Sequence, residues 1–378
     1  MNWTELQSLV PSAGHSYDWA RCCMLVPKLL ALESTPQDPR HHAEGNVGLH
    51  TRMVLDALML DAHWVEAPRG RQEEMFLAAL FHDIAKPETT VIDEMTGRIT
   101  QPGHSARGSV DVRILLWKAA APFAVRERIC RMVAKHQVPF FAFESKRGES
   151  PEYIARMLSW EMNVADLICV AKADMVGRQC EDQAGKLDDI ALFGELAAER
   201  GCLEQPGATA SPHTRVMYAR GMQLDPDYPL HQMAGSQVTV LCGLPASGKD
   251  TWVDKHAGGR AVVSFDDAKE ALGLRHGQND GMAAHYAVER ARGLLRRKEA
   301  FIWNATHLSR QMRGKTLTLL FDYHASVQVV YIEAEAKVVF ARNSKRDSTL
   351  SNKDLERMLY RWEVPVPWEA HEVVYACE

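Results

Sequence analysis

Residues Val238 to Val253 read V-T-V-L-C-G-L-P-A-S-G-K-D-T-W-V. An apolar, β-branched run stops at Gly243, and the residues after Thr251 have the pattern of a helix. Strand, glycine-rich turn and helix in that order form a phosphate-binding loop. Main-chain N–H groups at the helix start surround a nucleotide's phosphates, the helix dipole favours their charge, and a lysine reaches the β and γ phosphates. Here that lysine is Lys249, and the loop residues are Gly243, Pro245, Ser247, Gly248, Lys249, Asp250 and Thr251. Asp250 stands where many such loops carry the Ser or Thr that holds Mg2+, with Thr251 one place later.

Working outward, the second half alternates strands and helices. A-V-V-S ends at Ser264, before Asp266 and Asp267; F-I-W-N precedes A-T-H; and V-Q-V-V-Y-I-E-A precedes the helix that carries Arg342 and Arg346. Such alternation predicts a parallel sheet with helices on both faces and a ligand at the carboxyl ends of the strands. Between residues 204 and 235 helical periodicity is lost and prolines and glycines gather, which marks a connector. The expected organisation is multidomain: an all-α domain over 1–203, a connector over 204–235, and an α/β domain over 236–378.

The first half has apolar residues at three- and four-residue steps over Val47 to Trp64, Glu73 to Ala85, Arg107 to Trp117, Ala124 to His136 and Glu152 to Val176, with a short hairpin expected between Thr89 and Thr100. Its helices carry His50, the neighbours His82 and Asp83, His104, His136 and Asp174. Imidazoles and carboxylates projected from separate helices can converge on a divalent ion. Asp166, two turns before Asp174, is the rival carboxylate. His15, His41, His42 and His63 read as ordinary histidines.

Composition sets the outer limits. The chain has 378 residues, 46% hydrophobic and 25% charged, with a formal net charge of -5, which argues against a protein that coats DNA but allows a local basic groove. Eight cysteines without a C-x-x-C pair suit free thiols in a reducing compartment. No apolar run approaches a membrane span, so a cytoplasmic protein without a membrane partner is expected.

The order H-T-R-M-V, F-H-D-I-A-K-P, G-H-S-A-R-G, K-H-Q, A-D-M-V-G-R resembles the HD superfamily of metal-dependent phosphohydrolases. That resemblance implies metal ligation by His50, His82, Asp83 and Asp174, a possible second ion through His104 and His136, one or two divalent transition metals, and a phosphate contact at Lys86 beside the catalytic Asp83. Residues 237–378 resemble the P-loop 5′-OH polynucleotide kinases. In that family the matching residues make Asp266 the general base on a 5′-OH and Arg342 and Arg346 lid arginines on the donor phosphates, with Lys249 catalytic and ATP or another NTP with Mg2+ as cofactor. Lys269 and Ala305 depart from the phage-type pattern, leaving Arg310 and Arg313 as substitute acceptor contacts.

The two halves together are similar to the bacterial HD-Pnk family of end-healing enzymes. The resemblance implies that one domain removes a 2′,3′-cyclic phosphate or a terminal 2′ or 3′ phosphate while the other phosphorylates a 5′-OH end of RNA or DNA, in concert with a separate ligase. Two alternatives stay open: a nucleotide phosphohydrolase fused to a nucleoside or small-molecule kinase, and a phosphohydrolase governed by an NTP-binding regulatory domain.

Overall fold

Three- and four-residue apolar spacing in the first half and β-branched runs in the second sort the chain into two units in the computed structural model, Met1–Gly207 and Ala208–Glu378. It describes residues 1–12, 14–144, 148–222, 224–274, 279–345 and 350–377.

The first unit is helical. Val164–Val176 packs against Val47–Leu60, Arg69–Phe81 and Gln183–Glu199. Residues Met75 to Phe81 are all fully buried, so their helix is enclosed on every side rather than amphipathic. The expected hairpin forms between β1 (Val91–Ile92) and β2 (Ile99–Thr100), antiparallel.

Two long periodic stretches are broken where a polar side chain offers the backbone an alternative partner. Val47 to Trp64 divides at Asp61, whose backbone is extended and whose carboxylate caps Ala62–Glu66 by accepting from the His63 N–H. Glu152 to Val176 divides into Pro151–Ser159 and Val164–Val176, with Asn163 capping the second through the Asp166 N–H. The helix expected over Glu73 to Ala85 instead runs over Arg69–Phe81.

Helices His104–Lys118 and Phe123–Lys135 pack as a pair, joined by the turn at residues 119–122. Because the connection is so short they run antiparallel, which brings His104, at the start of one, to the same end as His136, just after the other. Between them Arg113 forks onto Glu127 through Nε at 3.1 Å and Nη2 at 3.1 Å, and Arg126 Nε adds a bond of 2.9 Å to the same carboxylate. All three residues are buried.

The second unit is built on a five-stranded parallel sheet: β3 (Gln237–Cys242), β4 (Ala261–Ser264), β5 (Phe301–Asn304), β6 (Ser326–Glu333) and β7 (Glu372–Cys377), in the order β4-β5-β3-β6-β7. Parallel neighbours need crossovers, and helices Lys249–His256, Phe265–Ala271, Asp280–Arg296, Arg310–Asp322 and Ala336–Lys345 lie in them. Val240 of central β3 is in register with Trp303 and Val329 on either side. Leu241, Ile302, Val330 and Ile332 form a core cluster on which Trp252 and Val253 pack.

The stretch 204–235 departs from a plain connector. Pro212–Ala219 is a helix capped by Ser211, and Thr214 is fully buried, its hydroxyl donating to the Tyr228 carbonyl and accepting from the Leu230 N–H. A buried threonine with both bonds satisfied pins the segment, which from Ala208 onward belongs to the second unit.

The Arg113–Glu127–Arg126 cluster sets an acid limit on the first unit. Burial by itself would raise the Glu127 carboxyl; Arg113 and Arg126 outweigh it and hold it at about 2. A depressed folded-state value means stability that is fully present above the ordinary glutamate range and lost as pH falls toward 2. Glu127→Gln is expected to cost about 3 kcal/mol at pH 7. In urea unfolding followed by circular dichroism, its deficit relative to the unchanged chain should narrow steadily between pH 5 and pH 2; a deficit independent of pH would refute the assignment.

Candidate functional site

In the helical unit, five segments bring His50, His82, Asp83, His104, His136 and Asp174 together. His50 lies in Val47–Leu60, His82 and Asp83 in the turn after Arg69–Phe81, His104 at the start of its helix, His136 at the end of the next, and Asp174 in Val164–Val176. His50 Nε2 is 3.1 Å from Asp174 Oδ1, 3.4 Å from His82 Nε2 and 3.8 Å from Asp83 Oδ2. His82 Nε2 and His104 Nε2 lie 3.0 Å and 3.3 Å from the two Asp83 oxygens, and His136 Nε2 is 3.8 Å from Asp174 Oδ2.

The orientation of the rings has a local origin. His82, His104 and His136 each turn Nδ1 onto the carbonyl three residues earlier, that of Ala79 at 2.7 Å, Gln101 at 2.8 Å and Val133 at 2.9 Å. His50 Nδ1 faces the Gly177 carbonyl at 3.2 Å and Glu44 Oε1 at 3.0 Å. These oxygens can only accept, so the proton of each neutral ring is on Nδ1 and Nε2 presents its lone pair to the centre.

The donor set suits a divalent ion. His50, His82 and Asp83 form one triad of ligand atoms within 4.8 Å of one another; Asp83, His104 and His136 form a second, sharing Asp83. His136 Nε2 and Asp174 Oδ2 are buried without a hydrogen-bond partner among the described residues, and the Asp83 oxygens face the His82 and His104 rings and the Lys86 ammonium. Orphaned lone pairs in a dry interior are costly unless a cation meets them, and a set of imidazoles and carboxylates fits a transition metal.

Electrostatics agree with this arrangement. Burial opposes the Asp83 carboxylate, but His82 and Lys86 outweigh it and hold the carboxyl well below its usual range; for Asp174, Arg178 and His50 do the same. Burial, reinforced by His82, pushes His136 down to about 3, and burial also lowers His104, which keeps both rings neutral. His50 goes the other way: burial lowers it, yet Asp174 and Glu44 raise it on balance.

Several neighbours were not legible in the sequence. Glu44 Oε1 is 2.8 Å from His42 Nδ1 and 3.0 Å from His50 Nδ1, while Oε2 accepts from the Gln179 N–H at 2.9 Å. It is a carboxylate that fixes the His50 ring from behind. His42, read as an ordinary histidine, belongs to this arrangement. Arg178 Nη2 donates to Asp174 at 2.8 Å with its guanidinium over the Phe140 ring. The i,i+4 spacing of Asp174 and Arg178 is the one signal that points to the pair. Asp166 is engaged elsewhere, with Arg71 at 2.6 Å and His63 at 2.9 Å. Lys86, expected as a phosphate contact, is instead 2% exposed, with Nζ 2.8 Å from Asp83 and bonded to Gln37 Oε1 at 2.6 Å.

In the second unit the phosphate loop follows β3 at the carboxyl edge of the sheet. Gly243 has φ 149°, and a Cβ there would fall 2.2 Å from the Ile332 carbonyl, so only glycine allows this approach to β6. Its N–H donates to the Thr306 carbonyl at 2.9 Å. Gly248, at φ 107°, caps Lys249–His256, and Ala246 is left-handed at φ 61°. Successive left-handed turns aim N–H groups into one concavity, as anion sites require.

Lys249 Nζ lies inside that loop, donating to the Gly243 carbonyl at 3.1 Å and the Leu244 carbonyl at 2.7 Å. Ser247 Oγ is buried without a partner among the described residues. Pro245 is half-buried, and Asp250 and Thr251 are exposed on the first turn of the helix. Asn304 Nδ2 donates to Asp250 Oδ1 at 2.9 Å, tying the end of β5 to the helix start.

Asp266 is exposed in the first turn of Phe265–Ala271, where Ser264 is the cap. Arg342 Nη1 is 3.8 Å from where a Gly248 Cβ would be, hence beside the loop. Arg346 lies outside the described residues. Of the substitute acceptor contacts, Arg313 is excluded: it is 0% exposed and clamped by Glu369 at 2.7 Å and 2.8 Å and by the Glu363 carbonyl at 2.6 Å. A guanidinium satisfied this completely holds the chain end in place. Arg310 stays partly exposed, over the Trp368 ring.

A family model described as an AAA domain matches residues 238–365. Among curated proteins, the Multifunctional CCA protein of Halorhodospira halophila is 35% identical over 124 residues, covering 33% of this chain and 27% of its own. The CC-adding tRNA nucleotidyltransferase of Thermus thermophilus is 40% identical over 112 residues, 29% of this chain and 24% of its own. The chain thus spans about a quarter of the length of these curated relatives. A solved sugar kinase of Janibacter sp. HTCC2649 is 20% identical with a TM-score of 0.27, over 38% of this chain and 85% of that one. Among the described residues no helix is long and apolar enough to cross a membrane. With its parallel sheet, its glycine loop and its match over residues 238–365, the second unit is a P-loop nucleotide-binding domain similar to AAA domains.

Proposed function

We propose that this chain is a bifunctional enzyme of nucleic-acid ends, in which the helical unit removes a 2′,3′-cyclic phosphate or a terminal 2′ or 3′ phosphate and the P-loop unit transfers the γ phosphate of ATP or another NTP to a 5′-OH. The observation that carries the reading is the set of four buried imidazoles, each anchored at Nδ1 and turning Nε2 toward Asp83 or Asp174, with His136 Nε2 and Asp174 Oδ2 left without a hydrogen-bond partner among the described residues. A store of buried lone pairs of this kind has a use in metal-assisted phosphoester hydrolysis. The names of the curated relatives, one a tRNA nucleotidyltransferase, support an RNA end as the substrate.

In the helical unit His50, His82, Asp83 and Asp174 would hold one divalent ion, and His104 and His136 with Asp83 a second. Such ions lower the pKa of water and neutralise the charge that develops on phosphorus. Around them, Lys86 and Gln37 fix Asp83, Glu44 fixes His50, and Arg178 both orients Asp174 and lines the adjoining cavity, where its guanidinium can receive phosphate oxygens.

In the P-loop unit the main-chain N–H groups at the start of the helix Lys249–His256 face the donor phosphates. Lys249 exchanges its carbonyl partners for the β and γ phosphates, and Arg342, with Arg346, neutralises the charge spread over the transferred oxygens. Asp266 takes the proton of the attacking 5′-OH. Mg2+ would complete the donor, and Thr251 and Asp250 are the exposed oxygen side chains at the helix start that could hold it. Joining of the healed ends falls to a separate ligase.

The two chemistries should come apart by mutation. With a 5′-OH, 3′-phosphate RNA and both ends followed separately, Lys249→Ala is expected to lower 5′ phosphorylation by at least about 100-fold and leave phosphate release within about twofold; loss of both would sink the assignment. Asp83→Ala should do the reverse, and full phosphate release by that variant would count against the metal cluster. Glu44→Gln, which keeps the shape but removes the charge behind His50, should weaken metal affinity by about 10- to 100-fold in a titration with Mn2+. Unchanged affinity would show that Glu44 serves only the fold.

A further inference from the structure

Resting on the phosphoesterase reading above, we propose that the cavity beside the metal-ligating cluster is the subsite for the terminal nucleoside of the substrate, and that the Phe141 ring is the surface on which its base stacks. The cavity measures about 240 Å³. Its inner wall is one layer of side chains from the ligands. Arg178 is bonded to Asp174, the His42 ring centroid is 4.8 Å from that of His50, and the Gln101 main chain holds His104. Phe140 and Phe141 also line the cavity.

These two rings differ in a way that separates structure from binding. Phe140 is 1% exposed and packs beneath the Arg178 guanidinium, so it belongs to the core. Phe141, in the single turn of tight helix Val138–Phe141, is 48% exposed. It is nevertheless held in place. Lys186 Nζ rests 4.9 Å from its centroid and is itself fixed by the Phe140 carbonyl at 3.1 Å, Glu144 at 2.7 Å and Asp189 at 3.2 Å. An exposed ring already ordered by its neighbours loses little entropy when a partner covers it.

Position identifies the partner. The turn follows His136 after a single residue, so the ring keeps a fixed offset from a ligand of the cluster. The Arg178 guanidinium suits a phosphate, and the exposed Phe141 ring lining the same cavity suits the base attached to the same sugar. A sugar phosphate without a base would leave Phe141 bare. Stacking on an aromatic side chain tolerates any base, which suits an enzyme that must accept every broken end. The reaction served is hydrolysis: water adds to phosphorus, the P–O bond to the sugar breaks, and the sugar oxygen leaves with a proton.

The test uses the full chain and two 5′-labelled RNAs with a 3′ phosphate, identical except that one carries hydrogen in place of its terminal base. Phosphate release with Mn2+ and binding in EDTA are both measured. For the unchanged protein, kcat/KM and affinity should favour the base-bearing end by roughly 10-fold. Phe141→Ala should bring both ratios close to one, and Phe141→Trp should keep or raise them, which also shows that the turn tolerates substitution. Equal ratios in the unchanged protein and Phe141→Ala overturn the stacking role. If the unchanged protein releases no phosphate from either RNA, the phosphoesterase reading itself fails and the subsite falls with it.

Discussion

The bond between a histidine Nδ1–H and a nearby carbonyl oxygen is the constraint on which the helical unit depends. An unanchored imidazole in a dry interior can flip and swap its proton between nitrogens. His82, His104 and His136 are denied that freedom by carbonyls of the turn that precedes each of them. The anchors lie at helix ends, where a carbonyl lacks its usual partner or the chain has just turned. That is why three of the four histidines stand at helix boundaries and not at mid-helix. His50, within Val47–Leu60, has no such local carbonyl and borrows one from Gly177, with Glu44 in support. A Cβ at Gly177 would lie 2.7 Å from the Val54 main-chain nitrogen, so the glycine allows that segment to press against the His50 helix.

Orientation by local bonds then has to be matched by placement of whole helices. His104 and His136 meet because their helices are antiparallel, and the pair is fixed across its middle by Arg113, Arg126 and Glu127. Two guanidinium groups on one carboxylate leave a surplus of positive charge in the interior. Its cost is offset because the carboxylate is multiply bonded and strongly ionised. In the histidine cluster Lys86 and Arg178 each meet one carboxylate, yet Asp174 Oδ2 and His136 Nε2 stay without a hydrogen-bond partner among the described residues, and it is this contrast between a satisfied and an unsatisfied buried group that separates scaffold from candidate site.

Much of this was legible in the residues. The phosphate loop, its lysine and the alternation of strand and helix could be read directly, because glycine positions and β-branched runs are local signals. The six residues now seen in the helical cluster could be placed on their segments, although the convergence of five segments is a tertiary fact. What escaped was of two kinds. Local competition escaped: Asp61 and Asn163 end periodic runs by capping the next helix, and apolar spacing does not register a cap. Long-range pairing escaped as well. Arg313 follows a strand end, as an acceptor-binding arginine would, yet Glu369 draws it into the core from 56 residues away. The same clamp secures the segment that leads into β7, a strand that the alternation read in the sequence did not include.

The two sites differ in how much of each is assembled in advance. In the helical cluster every proposed ligand is buried, at 7% exposure or less, and its surroundings leave little room for rearrangement. The P-loop site is a fixed loop surrounded by exposed groups: Asp250, Thr251, Asp266 and Arg342 all face solvent. Enclosed, anchored donors suit the hydrolysis proposed for this unit, in which an attacking water would need only one geometry. Exposed groups around a rigid loop suit a reaction between two large substrates, where the donor must enter before the charges around it close in. Lys249 marks the difference. Its ammonium is bonded to carbonyls of its own loop, so donor phosphates must replace contacts already made, and the net gain from binding comes from exchanging neutral partners for charged ones.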